Sequence, residues 1–181
     1  MATWGSRGLR GSTLEDLVNL SIDQYRKAGL GLVQKIPTPI KPLEIDKTTR
    51  HITLAYFDQK STVDYIGVVQ GIPVCFDAKE CMSDTFPMAN IHEHQMAFMG
   101  DFERQEGVAF ILLYMEHRDE LYYIPFSDIS FFWKRAAEGG RKSFTYEEID
   151  KRYRIMPKKG LPVPFLDALK KDLESRRPDD E

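Results

Sequence analysis

Residues 62–79 read TVDYIGVVQGIPVCFDAK, and this stretch decides the fold. Two runs rich in β-branched and apolar residues are separated only by Gln70-Gly71. A two-residue connection of this kind is typical of a tight β-hairpin. Because side chains alternate along a strand, Asp77 and Lys79 share one face of the returning arm. The stretch therefore predicts a hairpin that carries an acid and a base on the same face.

Apolar periodicity outside this hairpin predicts four helices and three further strands. Residues 29–51 contain three prolines, so they are predicted to be extended and irregular. Ser12 opens a capping box with Glu15 at the first helix, and Ser127 is placed to cap the third helix. The predicted strands are 52–57, 63–69, 72–79, 108–115 and 121–126, and the predicted helices are 14–28, 90–102, 127–138 and 164–174. This order indicates a mixed α/β domain around one central sheet with flanking helices.

Length and composition predict a single domain with a substantial core, because 42% of the 181 residues are hydrophobic. No apolar run reaches the roughly 18 residues of a membrane span, and the first eight residues lack the apolar segment of a secretory signal. Cys75 and Cys81 are too few for a disulfide framework or a four-ligand metal cluster. We therefore expect a cytoplasmic protein with no membrane partner, and we exclude collagen and coiled-coil classes.

The net charge of −3 is unevenly distributed along the chain. Residues 1–60 hold nine basic and six acidic residues, and residues 129–159 hold nine basic and four acidic residues. Basic flanks around an acidic middle suit a polyanion held over bound cations, although a solvated surface explains the same clusters. Residues 1–11 are predicted to be a flexible basic arm and residues 175–181 a charged tail. The candidate contacts to a nucleic-acid backbone are Arg7, Arg10, Arg141, Lys142, Arg152 and Arg154.

The predicted hairpin places Asp64 in its first arm beside Asp77 in its second arm. Two carboxylates at contact distance repel each other and usually share a proton or a metal ion. A hard cation such as Mg²⁺ prefers oxygen ligands and often binds together with substrate phosphates. Lys79 points its ammonium group at the same place, where it can stabilise negative charge that develops on phosphorus. The set indicates metal-dependent hydrolysis of a phosphodiester, while the spacing alone also fits an exposed ion pair on a strand.

A family resemblance extends this interpretation to most of the chain. Asp64 followed by Asp77-Ala78-Lys79 resembles the motif of the PD-(D/E)xK nuclease superfamily. Further blocks, in the right order across residues 6–143, resemble the RecU-type Holliday junction resolvases. These blocks are Ser6-Arg7-Gly8, Thr13-Leu14-Glu15-Asp16, Lys35-Ile36-Pro37-Thr38-Pro39, Ala55-Tyr56-Phe57, Ser61-Thr62-Val63-Asp64-Tyr65, Phe76-Asp77-Ala78-Lys79-Glu80, Phe86-Pro87, His92-Glu93-His94-Gln95 and Gly140-Arg141-Lys142-Ser143. The resemblance implies a single mixed-sheet nuclease core with a projecting stalk segment at about 37–59.

The resemblance also implies an activity, namely paired symmetric nicking of four-way DNA junctions by a homodimer in recombination and repair. It implies that Mg²⁺, for which Mn²⁺ can substitute, is surrounded by Thr62, Asp64, Asp77 and Gln95. Lys79 would stabilise the transition state, and a recombinase is a further candidate partner. Two departures stand out, because Asp77 replaces the more usual Glu and the stalk looks short.

Several residues have a simpler alternative role. Glu15 is a candidate outer acid of the site, although a capping role with Ser12 is favoured. His92 and His94 are two apart on the predicted helix and should not share a face. The aromatic residues Phe131, Phe132 and Trp133 are predicted to pack rather than to stack on bases.

Two rival functions stay open. One is a nicking or restriction-type endonuclease on the same fold, since a fold does not fix a substrate. The other is a protein that binds DNA junctions and has vestigial cleavage activity.

Overall fold

The computed structural model of the chain describes residues 13–58 and 62–176. The predicted basic arm, with Arg7 and Arg10, and residues 177–181 of the predicted tail lie outside these ranges. In chain order the helices and strands are α1 (Leu14–Lys27), β1 (Gly31–Lys35), β2 (Ile40–Ile45), β3 (Ile52–Phe57), β4 (Tyr65–Val69), β5 (Ile72–Cys81), β6 (Thr85–Pro87), α2 (Glu93–Arg104), β7 (Val108–Met115), β8 (Glu120–Pro125), α3 (Phe126–Ala137), β9 (Ser143–Thr145), β10 (Arg154–Ile155) and α4 (Phe165–Ser175).

A six-stranded sheet of order β1-β4-β5-β7-β8-β10 forms the centre of the fold. Strands β5 and β7 are parallel, and the other neighbours are antiparallel. A parallel pair needs a crossover, which α2 supplies between β5 and β7. Helices α1 and α4 pack on one face of the sheet, and α2 and α3 pack on the other. The predicted class, a mixed α/β sheet with flanking helices, is confirmed.

The hairpin of β4 and β5 forms as predicted. Gln70 and Gly71 make the turn with φ angles of 48° and 88°, the positive values that a tight two-residue hairpin turn requires. The two strands then pair in register from the turn outward. Phe76 packs under α1 and α4, whereas Cys75 packs under α2 and α3, so the predicted alternation of faces is confirmed.

Strand β1 completes the sheet at the edge beside β4 and was not predicted. Gly67 of β4 explains the close approach of the two strands. A Cβ at this position would lie 2.2 Å from the carbonyl oxygen of Leu32 and 2.5 Å from the Cα of Val33. Only glycine allows that spacing, and the sequence offered no sign that a strand would come so near.

Residues 29–51 are largely extended, as predicted, but the prediction that they are irregular is wrong, because β1 and β2 both lie within them. Strands β2 and β3 form a separate two-stranded hairpin with register shifts between Pro42 and Ile45. Every residue of β2 is exposed, so its sequence carries no alternation of buried and exposed positions. Proline is tolerated because a two-stranded hairpin leaves one edge of each strand unpaired. The projecting stalk at about 37–59 stays a prediction.

Two helix caps differ from the prediction. The capping box of α1 is formed by Thr13 and Asp16, one residue beyond the predicted Ser12 and Glu15. Helix α3 begins directly after Pro125, which leaves Ser127 inside the first turn instead of at the cap. The first cap is shifted by one residue and the second by two, from Ser127 to Pro125. Adjacent Ser and Thr residues can both serve as a cap, which explains the first shift.

The face under α1 and α4 contains a stack of buried aromatic rings. Phe76 lies 4.6 Å from Phe110, and Phe110 lies 4.3 Å from Tyr123, measured between ring centroids. Phe165, the first residue of α4, packs against this stack and is fully buried. The stack therefore joins the C-terminal helix to the central strands.

Cys75 and Cys81 are both buried and unpaired with each other. Within the part of the chain that the structure describes, no helix has the length and apolar character needed to cross a bilayer.

Replacing Glu80 with Ala is expected to lower the free energy of unfolding by about 1 kcal/mol. The reason is that Glu80 Oε1 accepts the N–H of Leu14 at 2.7 Å and so satisfies an open donor at the start of α1. Glu80→Gln keeps an acceptor oxygen and should lose much less. Asp23→Ala, at an exposed site on the same helix, is the control and should change stability by less than about 0.5 kcal/mol. Urea denaturation measures all three, and equal losses for Glu80→Ala and Asp23→Ala would contradict the capping role.

Candidate active site

Asp64 and Asp77 lie side by side at the open end of the β4–β5 hairpin. Asp64 directly precedes β4, and Asp77 follows the last paired position of β5 opposite it. The backbone N–H of Asp64 donates to Asp77 Oδ1 at 2.8 Å, and the N–H of Ala78 donates to Asp64 Oδ2 at 3.1 Å. Asp77 is 0% exposed. The backbone of each strand therefore holds the carboxylate of the other strand in place.

Lys79 and Gln95 both contact the second oxygen of Asp77. Lys79 Nζ lies 2.9 Å from Asp77 Oδ2, and Gln95 Nε2 donates to the same oxygen at 2.5 Å. Gln95 comes from the first turn of α2 and is only 6% exposed. The structure thus brings together four of the residues that the sequence pointed to, namely Asp64, Asp77, Lys79 and Gln95.

The surroundings of Asp64 disfavour its ionised form. Burial raises its pKa, and the neighbouring negative charge of Asp77 raises it further. The N–H of Ala78 and the ammonium of Lys79 act in the opposite direction but do not cancel the effect. A bound cation at this pair would offset the repulsion between the two carboxylates.

Asp64→Asn is expected to raise the melting temperature of the metal-free protein at pH 7. Because the folded-state pKa of Asp64 is raised, the native state binds more protons than the unfolded state between the two pKa values. Stability therefore falls as pH rises through that window, and the ionised acid destabilises the fold above it. Asn still accepts the N–H of Ala78 and carries no charge.

Thermal unfolding in EDTA at several pH values checks this prediction. The gain should disappear below the ordinary pKa of an aspartic acid, about 4, where Asp64 is protonated in both states. Asp23→Asn is the matched exposed control and should change little at any pH. A lower melting temperature for Asp64→Asn at pH 7 would show that the charge of Asp64 is not destabilising.

The donor set of the pair fits a hard cation. Both side chains offer carboxylate oxygens, and Mg²⁺ is commonly held by one or two carboxylates together with waters and substrate phosphates. Across residues 13–58 and 62–176, no three His, Cys, Asp or Glu residues come close enough to hold a metal ion. Thr62 lies two residues before Asp64 and is half-buried, and its role as a ligand stays a prediction.

Glu15 lies in the first turn of α1, outside the carboxylate pair. Its carboxylate forms an ion pair with Lys35, a contact that the sequence did not predict. The negative charge of Glu15 makes a small contribution to the raised pKa of Asp64. Because Asp16 is the partner in the capping box, the favoured capping role of Glu15 is wrong. Its role as an outer acid stays a prediction.

His92 and His94 were expected to point in different directions, and this expectation is wrong. Their rings stack with centroids 5.3 Å apart and planes 12° apart. The helical argument fails because His92 is the N-cap of α2 and has an extended backbone, so it is not part of the helix.

Of the six predicted backbone-binding residues, three that lie within the described ranges form ion pairs with nearby carboxylates. Arg141 pairs with Glu148, Arg152 with Asp150, and Arg154 with Glu120. The arginine side chains are 41–74% exposed, whereas their carboxylate partners are only 13–31% exposed. Lys142 accepts the N–H of Met88 through its carbonyl oxygen. Contacts of Arg141, Lys142, Arg152 and Arg154 with DNA stay a prediction.

Comparisons with known proteins identify a family that this chain resembles over most of its length. The family model described as Recombination protein U (RecU) matches residues 9–171. A Staphylococcus carnosus protein named Holliday junction resolvase RecU is 38% identical over 169 residues, which cover 91% of this chain and 81% of that protein. A Leuconostoc mesenteroides protein of the same name is 38% identical over 173 residues, which cover 93% of this chain and 84% of that protein. The range matched by the family model, residues 9–171, spans the positions of Asp64, Asp77, Lys79 and Gln95.

One solved structure that resembles this chain is Archaeoglobus fulgidus Hjc, a Holliday junction resolvase from an archaeal hyperthermophile. It is 10% identical, with a TM-score of 0.40, and the match covers 63% of this chain and 78% of that one.

Proposed function

The chain belongs to the RecU family, and from this membership we propose that it is a structure-specific endonuclease that resolves Holliday junctions. The relatives from Staphylococcus carnosus and Leuconostoc mesenteroides carry that name and are matched over most of their length. The observation that carries the proposal is the contact of Asp64, Asp77 and Lys79 within this match. An acid pair and a lysine at one point are the groups that phosphodiester hydrolysis needs.

Each residue of the site has a proposed task in catalysis. Asp64 and Asp77 hold the cation, which we take to be Mg²⁺, with Mn²⁺ as a substitute. When bound, the cation neutralises phosphate charge and lowers the pKa of the attacking water. Lys79 donates a hydrogen bond to a non-bridging phosphate oxygen as negative charge develops there. The Lys79 ammonium lies 2.9 Å from Asp77 Oδ2, and so beside a residue that would hold the cation.

The proposed substrate, a four-way DNA junction, indicates which partners the protein needs. A four-way junction must be cut on two strands at symmetric positions, and a homodimer supplies two equivalent sites related by a two-fold axis. We propose that the enzyme acts as such a homodimer in the cytoplasm. The basic residues around Arg141 and Arg154 would contact the phosphate backbone of the branched DNA. A recombinase is a further candidate partner, to which we assign no residues.

A labelled synthetic four-way junction and a linear duplex of matched sequence test the proposal. We expect paired cuts in opposite arms of the junction in Mg²⁺, with no product in EDTA and little product from the duplex. Equal cleavage of the duplex would favour a nicking or restriction-type endonuclease. Tight junction binding without product in either metal condition would favour a binding protein with vestigial cleavage.

A further inference from the structure

The side-chain amide of Gln95 is held at both of its ends. Its oxygen, Oε1, accepts the backbone N–H of His92 at 3.0 Å. Its nitrogen, Nε2, donates to Asp77 Oδ2 at 2.5 Å. Gln95 is 6% exposed and Asp77 0%, so the bond between them is buried, whereas the bond from His92 is part-buried. Gln95 therefore links the start of α2 to the middle of β5.

The neighbours of Gln95 determine which way round its side-chain amide is oriented. The backbone N–H of His92 can only donate, so it must face the oxygen of Gln95. The carboxylate of Asp77, when ionised, can only accept, so it must face the nitrogen. A flipped amide would set donor against donor at one end and acceptor against acceptor at the other. Gln95 consequently presents N–H groups, not an oxygen, towards the carboxylate pair.

We propose that Gln95 is a positioning residue that holds the Asp77 carboxylate and does not bind the metal ion. This inference rests on the proposed function, and it differs from the ligand set that the resemblance implies. A metal ligand needs an oxygen lone pair directed at the metal, and the oxygen of Gln95 faces the His92 N–H while its nitrogen faces Asp77. The hydrogen bond from Nε2 instead fixes the rotation of the Asp77 side chain. Partners of this kind orient the groups that contact a metal directly.

Hydrogen exchange of the His92 amide, measured by NMR without DNA, separates the two roles. If Gln95 positions Asp77, its oxygen stays on His92, and the protection of this amide is unchanged by saturating Mg²⁺. If Gln95 becomes a ligand, its oxygen leaves His92, and the amide loses protection when Mg²⁺ is added. Loss of protection would overturn the inference. Because no cleavage is measured, that result would leave the junction-resolving activity untouched.

Gln95→Met gives a second readout through Mg²⁺ affinity, measured by titration calorimetry. Loss of a residue that orients a ligand typically weakens metal binding 10–100-fold, and we expect about 10-fold. In this variant the His92 amide should exchange rapidly with or without Mg²⁺, which shows that the NMR signal reports the Gln95 bond. Unchanged Mg²⁺ affinity in Gln95→Met would overturn the positioning role. Absence of Mg²⁺ binding by the wild-type protein would overturn both the inference and the proposed cofactor.

Discussion

Lys79→Met is expected to lower the rate of junction cleavage about 10³-fold, the loss typical of removing one preorganised donor from a site of charge development. The ammonium of Lys79 lies 2.9 Å from Asp77 Oδ2, so it is already in place before the substrate arrives. Methionine keeps the length of the side chain and removes its charge. Binding of the junction should remain within a few-fold of wild type, because most of the affinity comes from many backbone phosphate contacts.

Single-turnover cleavage and a separate binding assay measure the two effects. Lys170→Met is the matched control, since Lys170 is exposed on α4 and pairs only weakly with Glu174 at 3.8 Å. It should cleave like wild type. If Lys79→Met cleaves within tenfold of wild type, Lys79 does not stabilise the transition state.

Phe165→Ala is expected to lower the free energy of unfolding by about 3–5 kcal/mol, as for other buried aromatic truncations. Phe165 is fully buried and contacts three aromatic rings. The centroid distances are 5.1 Å to Tyr25, 5.3 Å to Phe76 and 6.0 Å to Phe110. Its removal leaves a cavity between α1, α4 and the sheet. A loss of this size is a large share of the 5–15 kcal/mol that holds a typical domain together.

Phe131→Ala is the control for this prediction, because the same substitution is made at a ring that is 63% exposed. Its effect should stay below about 0.5 kcal/mol. Urea denaturation of both variants gives the comparison. Similar losses for the two would mean that the ring stack under α4 adds little to stability.

Much of the site could be predicted because its parts are close together in sequence. The turn at Gln70 and Gly71 fixes the register of β4 against β5, and the register fixes which side chains share a face. The contact of Asp64 with Asp77 then follows from counting residues along two strands. Gln95 could not be found in this way, since a lone glutamine on a helix has no pattern, and only the family resemblance pointed to it.

The missed features depend on contacts that a sequence pattern does not record. Strand β1 belongs to the sheet because Gly67 lets it approach, and this is visible only once the strands are packed. Phe131 was predicted to pack, yet it is exposed, whereas its neighbour Phe132 is buried. Adjacent aromatic residues on a helix point about 100° apart, so only one of them can face the sheet.

The contact between Asp64 and Asp77 has a consequence for the order in which the chain folds. The two residues are 13 positions apart, and a tight hairpin joins them. Hairpins form within microseconds, whereas contacts between distant segments wait for larger loops to close. The N–H of Val163 donates a hydrogen bond to the hydroxyl of Ser21, which is 142 positions away in the chain. Contacts under α1 and α4 therefore include one that forms only when a large loop closes. The newly made chain can therefore assemble its two acids first and close the opposite face of the sheet, under α1 and α4, afterwards.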